Sequence, residues 1–466
     1  MTNSNYKRLP KFWMIFRLWK VSKSAFFLFI SIKVITNFLP ISYSFLVTIY
    51  SVYFFIEYTT IYWQWLNFKY KLDSNRILIK KGIIFKTEQS VSNDQIQNIN
   101  MQSPFFHKIF NYSMITIIIG STGDNSTIKI PILSINEALN IAKKLDPNVS
   151  NNKNINDYHM IHKTNIKEIV VGSITFTKVL FFSSFLYSLQ DKLVDYFNFS
   201  LTDFLRTGLE SISSRYIIII AFIIIYILYN IIKNYLIYGN YIIKENENYI
   251  VLSKGIIDKN SIFIRKKHVQ GIIINYTLIQ KLFNLCTIKL VLVSNEEDSQ
   301  NKVNIFLPFI KFDKGVKIIK RIFPEFSYEY THTIPKKSFV LNFIRNKYFY
   351  FILTILFLNN TFGLNFLFLV IIIAILIQNV LSPFYNGYKI AMNKIIIKSL
   401  KLSMNIYITN LTRVEEITTS QKLLQRKMGV YSFSIINKEK PYIKKKINDI
   451  PIENHNELMK FYKDTL

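Results

Sequence analysis

The sequence predicts an α+β membrane protein in which one small strand-rich domain occurs three times between long apolar stretches. Two observations predict it. The first is an internal repeat, which decides an architecture before any single element does. Lys81-Gly82-Ile83-Ile84 recurs as Lys254-Gly255-Ile256-Ile257, at an offset of 173 residues. That offset also carries Gln97 onto Gln270, Lys108 onto Lys281 and Phe110-Asn111 onto Phe283-Asn284. A worn third copy lies 145 residues further on, where Val414-Glu415-Glu416-Ile417 replaces Val269-Gln270-Gly271-Ile272. The second observation is composition. Half of the 466 residues are hydrophobic and 19% are charged, with a mean hydropathy of +0.20. Such a mixture fits apolar spans alternating with basic segments better than one large core.

Six apolar segments follow in order: 24–38, turning at Pro40; 43–63; 168–189, which carries Lys178; 216–237, with an almost unbroken isoleucine run; 348–358; and 364–381. A span needs about 20 apolar residues, so the fifth is short unless its aromatic flanks are included. The chain then divides into a basic tail with hairpin 1 (1–66), domain 1 (67–146), a linker (147–167), hairpin 2 with an external loop at 190–213 (168–238), domain 2 (239–325), a linker (326–347), hairpin 3 (348–386) and a divergent domain 3 (387–466). The three outward stretches hold only Lys192, Arg206 and Arg215 of the 58 Lys and Arg, whereas the N-terminal tail alone has Lys7, Arg8, Lys11, Arg17 and Lys20. The positive-inside rule therefore puts both termini and all three domains in the cytoplasm. No cleavable signal sequence is expected at the N-terminus.

Within the first domain, 76–86 and 114–120 read as strands rich in Ile and Phe, and Ile128-Lys129-Ile130-Pro131 as a last short one. Ser134-Ile135-Asn136-Glu137 reads as a capping box opening a helix with Ile135, Ala138, Leu139, Ala142 and Leu145 on its buried face. The third copy repeats this grammar with Pro451, Asn454 and Glu457; the second keeps Pro308 and passes capping to Asp313. Strands closed by one C-terminal helix describe a small plugged barrel. Lys-Gly-Ile at 81–83, Gln-Ile-Gln-Asn-Ile at 95–99, Gln-Ser-Pro-Phe-Phe-His-Lys-Ile-Phe-Asn at 102–111 and Ile-Pro at 130–131 resemble the bacterial pleckstrin-homology-like (PH-like) domain of membrane proteins. The resemblance thins in the second copy, where Asn275-Tyr276-Thr277 replaces Gln102-Ser103-Pro104, and again in the third, where Ser399-Leu400 replaces the Lys-Gly pair. It implies three PH-like barrels, each with a C-terminal helix, on about six transmembrane helices. It implies no catalytic activity, because a fold does not fix a function.

The clearest recurring feature is a single helical turn: Phe105, Phe106, Lys108, Ile109 and Phe110; Leu278, Ile279, Lys281, Leu282 and Phe283; Leu423, Leu424, Arg426 and Met428. Two readings fit. The turn is a wedge dipping into the membrane interface with its cation near the phosphates, or it closes the barrel core with the cation in solvent. Four apolar groups in one turn usually bury inward, so core burial is the expectation. Lys33 and Lys178 fall inside expected spans, where an ionisable group is a functional suspect; snorkelling to the nearer interface is the plainer account. Lys33 and Glu57 would differ in depth by about 15 Å, too far for a salt bridge. The 190–213 loop mixes aromatics with Asp191, Asp195, Asp203 and Glu210, and reads either as an interfacial re-entrant or surface helix or as an outward acidic and aromatic surface that meets cationic peptides.

Cys286 is the only cysteine, which excludes an intramolecular disulfide and a Cys-rich metal site. His159 and His162, spaced i, i+3, have no other clustered ligand, so no metal is expected. No catalytic motif is present and no cofactor is implied. The net charge of +29 suits anionic headgroups, although a codon bias toward Ile, Lys and Asn accounts for part of it; nucleic acid is not expected as a partner. The family resemblance implies a non-enzymatic role in a Gram-positive envelope, in immunity to membrane-active bacteriocins. Membrane lipids and a smaller PH-like protein would be its partners. Membership of a peptide or lipid transport complex, with transporter subunits as partners, is the alternative.

Overall fold

The computed structural model describes residues 6–36, 43–119, 127–145, 158–174, 212–292, 305–345, 382–437 and 444–453, apart from 74, 330, 336, 392, 401 and 402. The chain forms two compact units. One comprises Met1–His159 with Ile257–Ile264, the other Met160–Ile256 with Arg265–Leu466.

The first unit opens with β1 (Lys7–Arg8) and two 25-residue helices, α1 (Phe12–Thr36) and α2 (Tyr43–Asn67), packed against each other. Four strands follow: β2 (Lys69–Leu72), β3 (Arg76–Lys81), β4 (Thr87–Ser92) and β5 (Ile96–Ser103). Then come α3 (Phe105–Ile109), β6 (Tyr112–Ile119), β7 (Thr127–Ser134) and α4 (Ile135–Leu145). One sheet has the order β1-β2-β3-β4, and the second runs β7-β6-β5. Ile77 and Ile79 of the first sheet, Ile115, Ile117 and Ile130 of the second, and Ala138, Ile141, Ala142 and Leu145 of α4 form one core. The helix face thus follows i, i+3, i+4, i+7 from Ala138; Leu139, expected inside, sits about 100° round and is exposed. Ser134 Oγ accepts from the Glu137 amide at 3.2 Å, as the capping reading requires.

The second unit contains β8 (His159–Lys163), α5 (Ile166–Ser173), α6 (Ile212–Tyr238), β9 (Ile242–Glu245) and β10 (Tyr249–Lys254). The strand β11 (Lys259–Arg265) precedes β12 (Val269–Tyr276). After α7 (Leu278–Leu282) come β13 (Leu285–Leu292), β14 (Ile305–Lys311), α8 (Phe312–Ile322), β15 (His332–Thr333) and α9 (Ser338–Arg345). The third copy supplies β16 (Gly387–Ala391), β17 (Lys394–Leu400), β18 (Met404–Asn410), β19 (Val414–Ser420), α10 (Leu423–Lys427), β20 (Val430–Asn437) and β21 (Lys445–Pro451).

Three sequence details recur as geometry. Pro131, Pro308 and Pro451 lie in β7, β14 and β21, each the last strand of its sheet, where a missing N–H costs no ladder bond. A register shift falls between Ile96 and Asn98, Val269 and Gly271, and Val414 and Glu416. The residue skipped is Gln97, Gln270 or Glu415, so the glutamine of the repeat marks a β-bulge. Finally, successive copies are joined strand to strand. β11 pairs antiparallel with β5, and β18 with β12, from Gly271↔Thr409 to Tyr276↔Met404.

The expected set of about six transmembrane helices is not supported: among the described residues no helix is long and apolar enough to cross a membrane. α1 carries Arg17, Lys20, Lys23 and Lys33, and α2 carries Glu57 with Tyr, Ser and Thr at many positions; α6 covers the expected span 216–237, and the side chains of its first half lie outside the described residues. The expected spans at 348–358 and 364–381, most of that at 168–189, and the loop at 190–211 lie outside the described residues. What stands is the sheet-rich α+β part, with PH-like domains.

Gly271 lets β18 approach: a Cβ there would lie 2.8 Å from the Ile408 carbonyl oxygen. Gly271→Val is expected to destabilise the second unit by about 1–3 kcal/mol. Gly429→Asn, at φ +65 with nothing within 4 Å of its Cβ position, is expected to stay within about 0.5 kcal/mol. Denaturant midpoints of the two variants check this.

Candidate functional site

The recurring turn is built the same way in each copy. It follows the bulged strand and ends at a residue in left-handed backbone: Asn111 (φ 58), Asn284 (φ 53) and Gly429 (φ 65). The carbonyl of that residue accepts from the amide of Ile135, Phe312 or Ile452 at 3.1, 2.9 and 3.0 Å. The turn is thereby tied to the chain that leaves the last strand.

Core burial, the sequence expectation, does not hold. Phe105, Phe106, Ile109 and Phe110 are 47–55% exposed, Leu282 and Leu423 are 83% exposed, and Phe283 and Leu424 about half. Lys281 and Arg426 are exposed as well, Lys108 and Met428 partly so. The side chains of Leu278 and Ile279 lie outside the described residues. The inward residue is instead the third of the turn, which sequence reasoning missed: His107, Gln280 or Gln425. Gln280 Nε2 donates to the Gly172 carbonyl at 3.0 Å, and its Oε1 accepts from the Thr277 amide at 3.1 Å. Gln425 Nε2 donates to Ser432 Oγ and Asp449 Oδ1, both at 2.8 Å, and its Oε1 accepts from the Lys422 amide at 3.0 Å. His107 stacks on Phe16, with ring centroids 4.2 Å apart. Burial lowers its imidazole pKa, partly opposed by a hydrogen bond to the Pro131 carbonyl. A polar residue flanked by apolar pairs was the available signal: it needs internal partners, and the pairs then face out.

In the first unit the apolar surface is widest. Trp19, 63% exposed, lies 6.0 Å from Phe106 between ring centroids, and Phe12 lies 4.4 Å from Phe110. The Asp258 carboxylate accepts from the Phe105 amide at 2.7 Å and so caps α3. Beside this surface Ile84 and Phe85 project from the β3–β4 loop, 85% and 86% exposed.

The other candidates separate. Lys33 lies in α1, with its side chain outside the described residues. Lys178 lies outside the described residues. His159 is exposed, whereas His162 is buried, with Nε2 3.8 Å from Glu168. Burial, helped by Lys314, still lowers the His162 pKa to about 4. Among the described residues no group of three His, Cys, Asp or Glu could hold a metal ion. Burial pushes the Cys286 thiol up to about 12, with Asp313 adding to the shift, so it stays protonated at neutral pH.

A model of the bacterial PH domain matches residues 26–149, 197–324 and 348–465. The chain belongs to the bacterial PH domain family. The three matches coincide with the three copies of the repeat, each carrying one exposed turn. The chain is also similar to the UPF0699 transmembrane protein YdbT of Bacillus subtilis (strain 168), 22% identical over 302 residues, which cover 57% of this chain and 58% of that protein. The chain thus spans under two thirds of that relative. No solved structure matches it.

Two outcomes follow. Gln425→Ala removes three hydrogen bonds inside the third PH domain and is expected to cost about 1–3 kcal/mol, whereas Leu424→Ala is expected to change stability by no more than about 0.5 kcal/mol. Urea titration of both variants distinguishes this from a turn packed inward. His162 is held neutral, so its contribution is present above its ordinary pKa near 6.5 and is lost as pH falls through about 4. The full shift corresponds to about 3 kcal/mol. Melting of His162→Gln should fall less steeply than that of the parent between pH 6.5 and 4.

Proposed function

We propose that the chain is a non-enzymatic scaffold working at the cytoplasmic face of a bacterial membrane, where its PH domains contribute to immunity against membrane-active bacteriocins. The observation that carries this is the threefold recurrence of an exposed apolar turn next to a cation, whose third residue points inward and in two copies is a buried, hydrogen-bonded glutamine. Large side chains at solvent-facing tips, repeated in one chain, suit an interfacial contact: the apolar groups enter the headgroup boundary and Lys108, Lys281 or Arg426 stays near the phosphates. The relative's description as a transmembrane protein supports a membrane location, and the excess of basic over acidic residues suits a cytoplasmic leaflet. Membrane lipids are the first partner in this reading. A smaller PH-like protein is the second, since sheet edges in such domains can pair with another chain.

The test is a triple variant, Phe106→Ser, Leu282→Ser and Leu424→Ser, expressed in a sensitive Gram-positive host with and without a single-domain PH-like protein. All three positions are exposed, so abundance should match the parent. The parent should raise the inhibitory concentration of membrane-permeabilising peptides several-fold, and the variant should not. Protection by the variant equal to that of the parent would remove the turns from the mechanism. A well-expressed parent that protects against no bacteriocin class would sink the immunity reading in favour of a transport complex.

A further inference from the structure

The two joints between copies share one register. Where β5 meets β11 the facing pairs run from Asn98↔Ile264 to Ser103↔Lys259, and where β12 meets β18 from Gly271↔Thr409 to Tyr276↔Met404. Shifting β5 by 173 residues and β11 by 145 turns the six pairs of the first joint into the six of the second. One docking geometry is therefore used twice in this chain, each time with a β5-type edge receiving the next strand antiparallel. β19 is the third edge of that type. It stands first in its sheet, β19-β20-β21, with no strand on its outer side among the described residues. It keeps the bulge of its counterparts, between Val414 and Glu416, and Ile417 packs on the core of the third copy. The edge is built like a joint and left open.

What differs is the chemistry at the bulge. The joints have Gln97 and Asn98, or Gln270 and Gly271, at these two positions, and Asn98, Gln270 and Gly271 are buried. The open edge has Glu415 and Glu416 instead, both exposed. Glu416 Oε1 accepts from Thr418 Oγ1 at 2.8 Å, so the two side chains share the outward side of the strand. Among the described residues neither acid forms an ion pair. The residue facing the Glu416 position is Ile264 at the first joint and Thr409 at the second, both buried. In a second copy of this chain it would be Val91, a core residue of the first domain. Seating Glu416 against Val91 strips water from a carboxylate without supplying a counter-ion, a cost that one cross-strand pair does not offset. A strand with Lys or Arg at that place meets the acid directly, on the same face. The net charge of +29 repels a basic segment from the molecule as a whole, so the acidic edge is a local exception.

We propose that β19 is a docking edge for an extended, basic segment of another polypeptide, which adds to the sheet antiparallel with a Lys or Arg opposite Glu416. The backbone ladder supplies the mode of binding, and the two acids select the sequence. Continuity with the internal joints fixes the register: the cation ends the pairing segment, and the four residues before it face Ile417, Thr418, Thr419 and Ser420. The proposal gives the protein-partner part of the proposed function an edge and a chemistry, and rests on that part alone. Its test contains neither membrane nor bacteriocin. Capture of the segment without protection of cells would fail the immunity reading and leave the edge standing; protection without capture would do the reverse.

The probe is a synthetic peptide, Thr-Val-Thr-Val-Lys between glycines and amidated at its C-terminus, tethered to a sensor surface by an uncharged linker. Binding of the full chain in an uncharged maltoside detergent is read by biolayer interferometry. The Lys peptide should bind about tenfold more tightly than the same peptide with Glu in place of Lys, although the chain's net charge alone favours the Glu version. Glu415→Gln with Glu416→Gln, at exposed positions, should weaken the Lys peptide by about tenfold and leave the urea midpoint unchanged. Glu415→Lys with Glu416→Lys should reverse the preference. Glu88→Gln, on the other open edge, should keep binding within about twofold. Replacing the four residues before the Lys by their N-methyl forms should abolish binding, because the ladder loses its donors. Binding of the Glu peptide as tight as the Lys peptide, an unreversed preference in the double Lys variant, or full binding of the N-methylated peptide would each overturn the proposal. So would self-association of the chain that the Lys peptide displaces, which would give the edge to a second copy.

Discussion

The antiparallel joint between β12 and β18 is the constraint on which the tandem arrangement depends. A strand at the edge of a sheet presents unpaired N–H and C=O groups, and repeated small barrels would expose such edges again and again. Here the first strand of one copy's second sheet pairs with the third strand of the next copy, as β5 with β11 and β12 with β18. The pairing is reinforced by side chains. Thr409 Oγ1 donates to the Gln270 carbonyl at 2.8 Å, Asn437 Nδ2 donates to Thr409 Oγ1 at 2.7 Å, and Asn275 Nδ2 donates to Asn405 Oδ1 at 2.6 Å. Asn437 also donates to the Arg413 carbonyl at 3.1 Å. The joint is thus a satisfied polar network within apolar strands, which fixes register where isoleucines alone would permit slippage.

The two ends of the series differ from its joints in a way that follows from this. β4 and β19 are the strands that would pair with a preceding or a following copy. At the joints β11 and β12 carry Ile262, Phe263 and Ile264, and Ile272, Ile273 and Ile274, whereas β5 alternates Ile96, Ile99 and Met101 with Gln97, Asn98, Asn100 and Gln102. At the ends they read Thr87-Glu88-Gln89-Ser90 and Val414-Glu415-Glu416-Ile417-Thr418-Thr419, and both Glu415 and Glu416 are exposed. Glu88 pairs with Lys80 at 3.1 Å, whereas Glu415 and Glu416 put unscreened charge on β19. In the third copy β19 is polar along much of its length, while Phe433, Ile435 and Ile447 of the core are apolar and buried.

The repeat and its strands were legible because offset identity survives at residues with backbone roles, Gln97 and Gln270 at the bulge and Asn111 and Asn284 in left-handed backbone, and because each last strand keeps a proline within a few residues of the offset. The direction of the turns was not legible from apolar spacing. Phe105, Phe106, Ile109 and Phe110 have the pattern of a core turn, and only the partners of His107, Gln280 and Gln425 decide which way it faces. Those partners, Gly172 and Asp449 among them, are remote in sequence. The spans were over-read for a related reason. Counting apolar residues in α1 and α2 gives weight to Tyr, Trp and Phe, whereas Arg17, Lys20, Lys23 and Lys33 in α1 and Glu57 in α2 are costly in hydrocarbon.

Divergence between copies then locates specificity. A repeat whose core and joints must be kept can vary freely only where copies do not support each other, at the turns and the β3–β4 loop. Leu66 against Gly239 is one such difference: a Cβ at Gly239 would lie 2.3 Å from Ile256 Cδ1, so the close approach of loop and helix in the second copy needs the glycine. Lys129 against Phe306 is the second, exchanging a buried ring for an exposed cation on an equivalent strand.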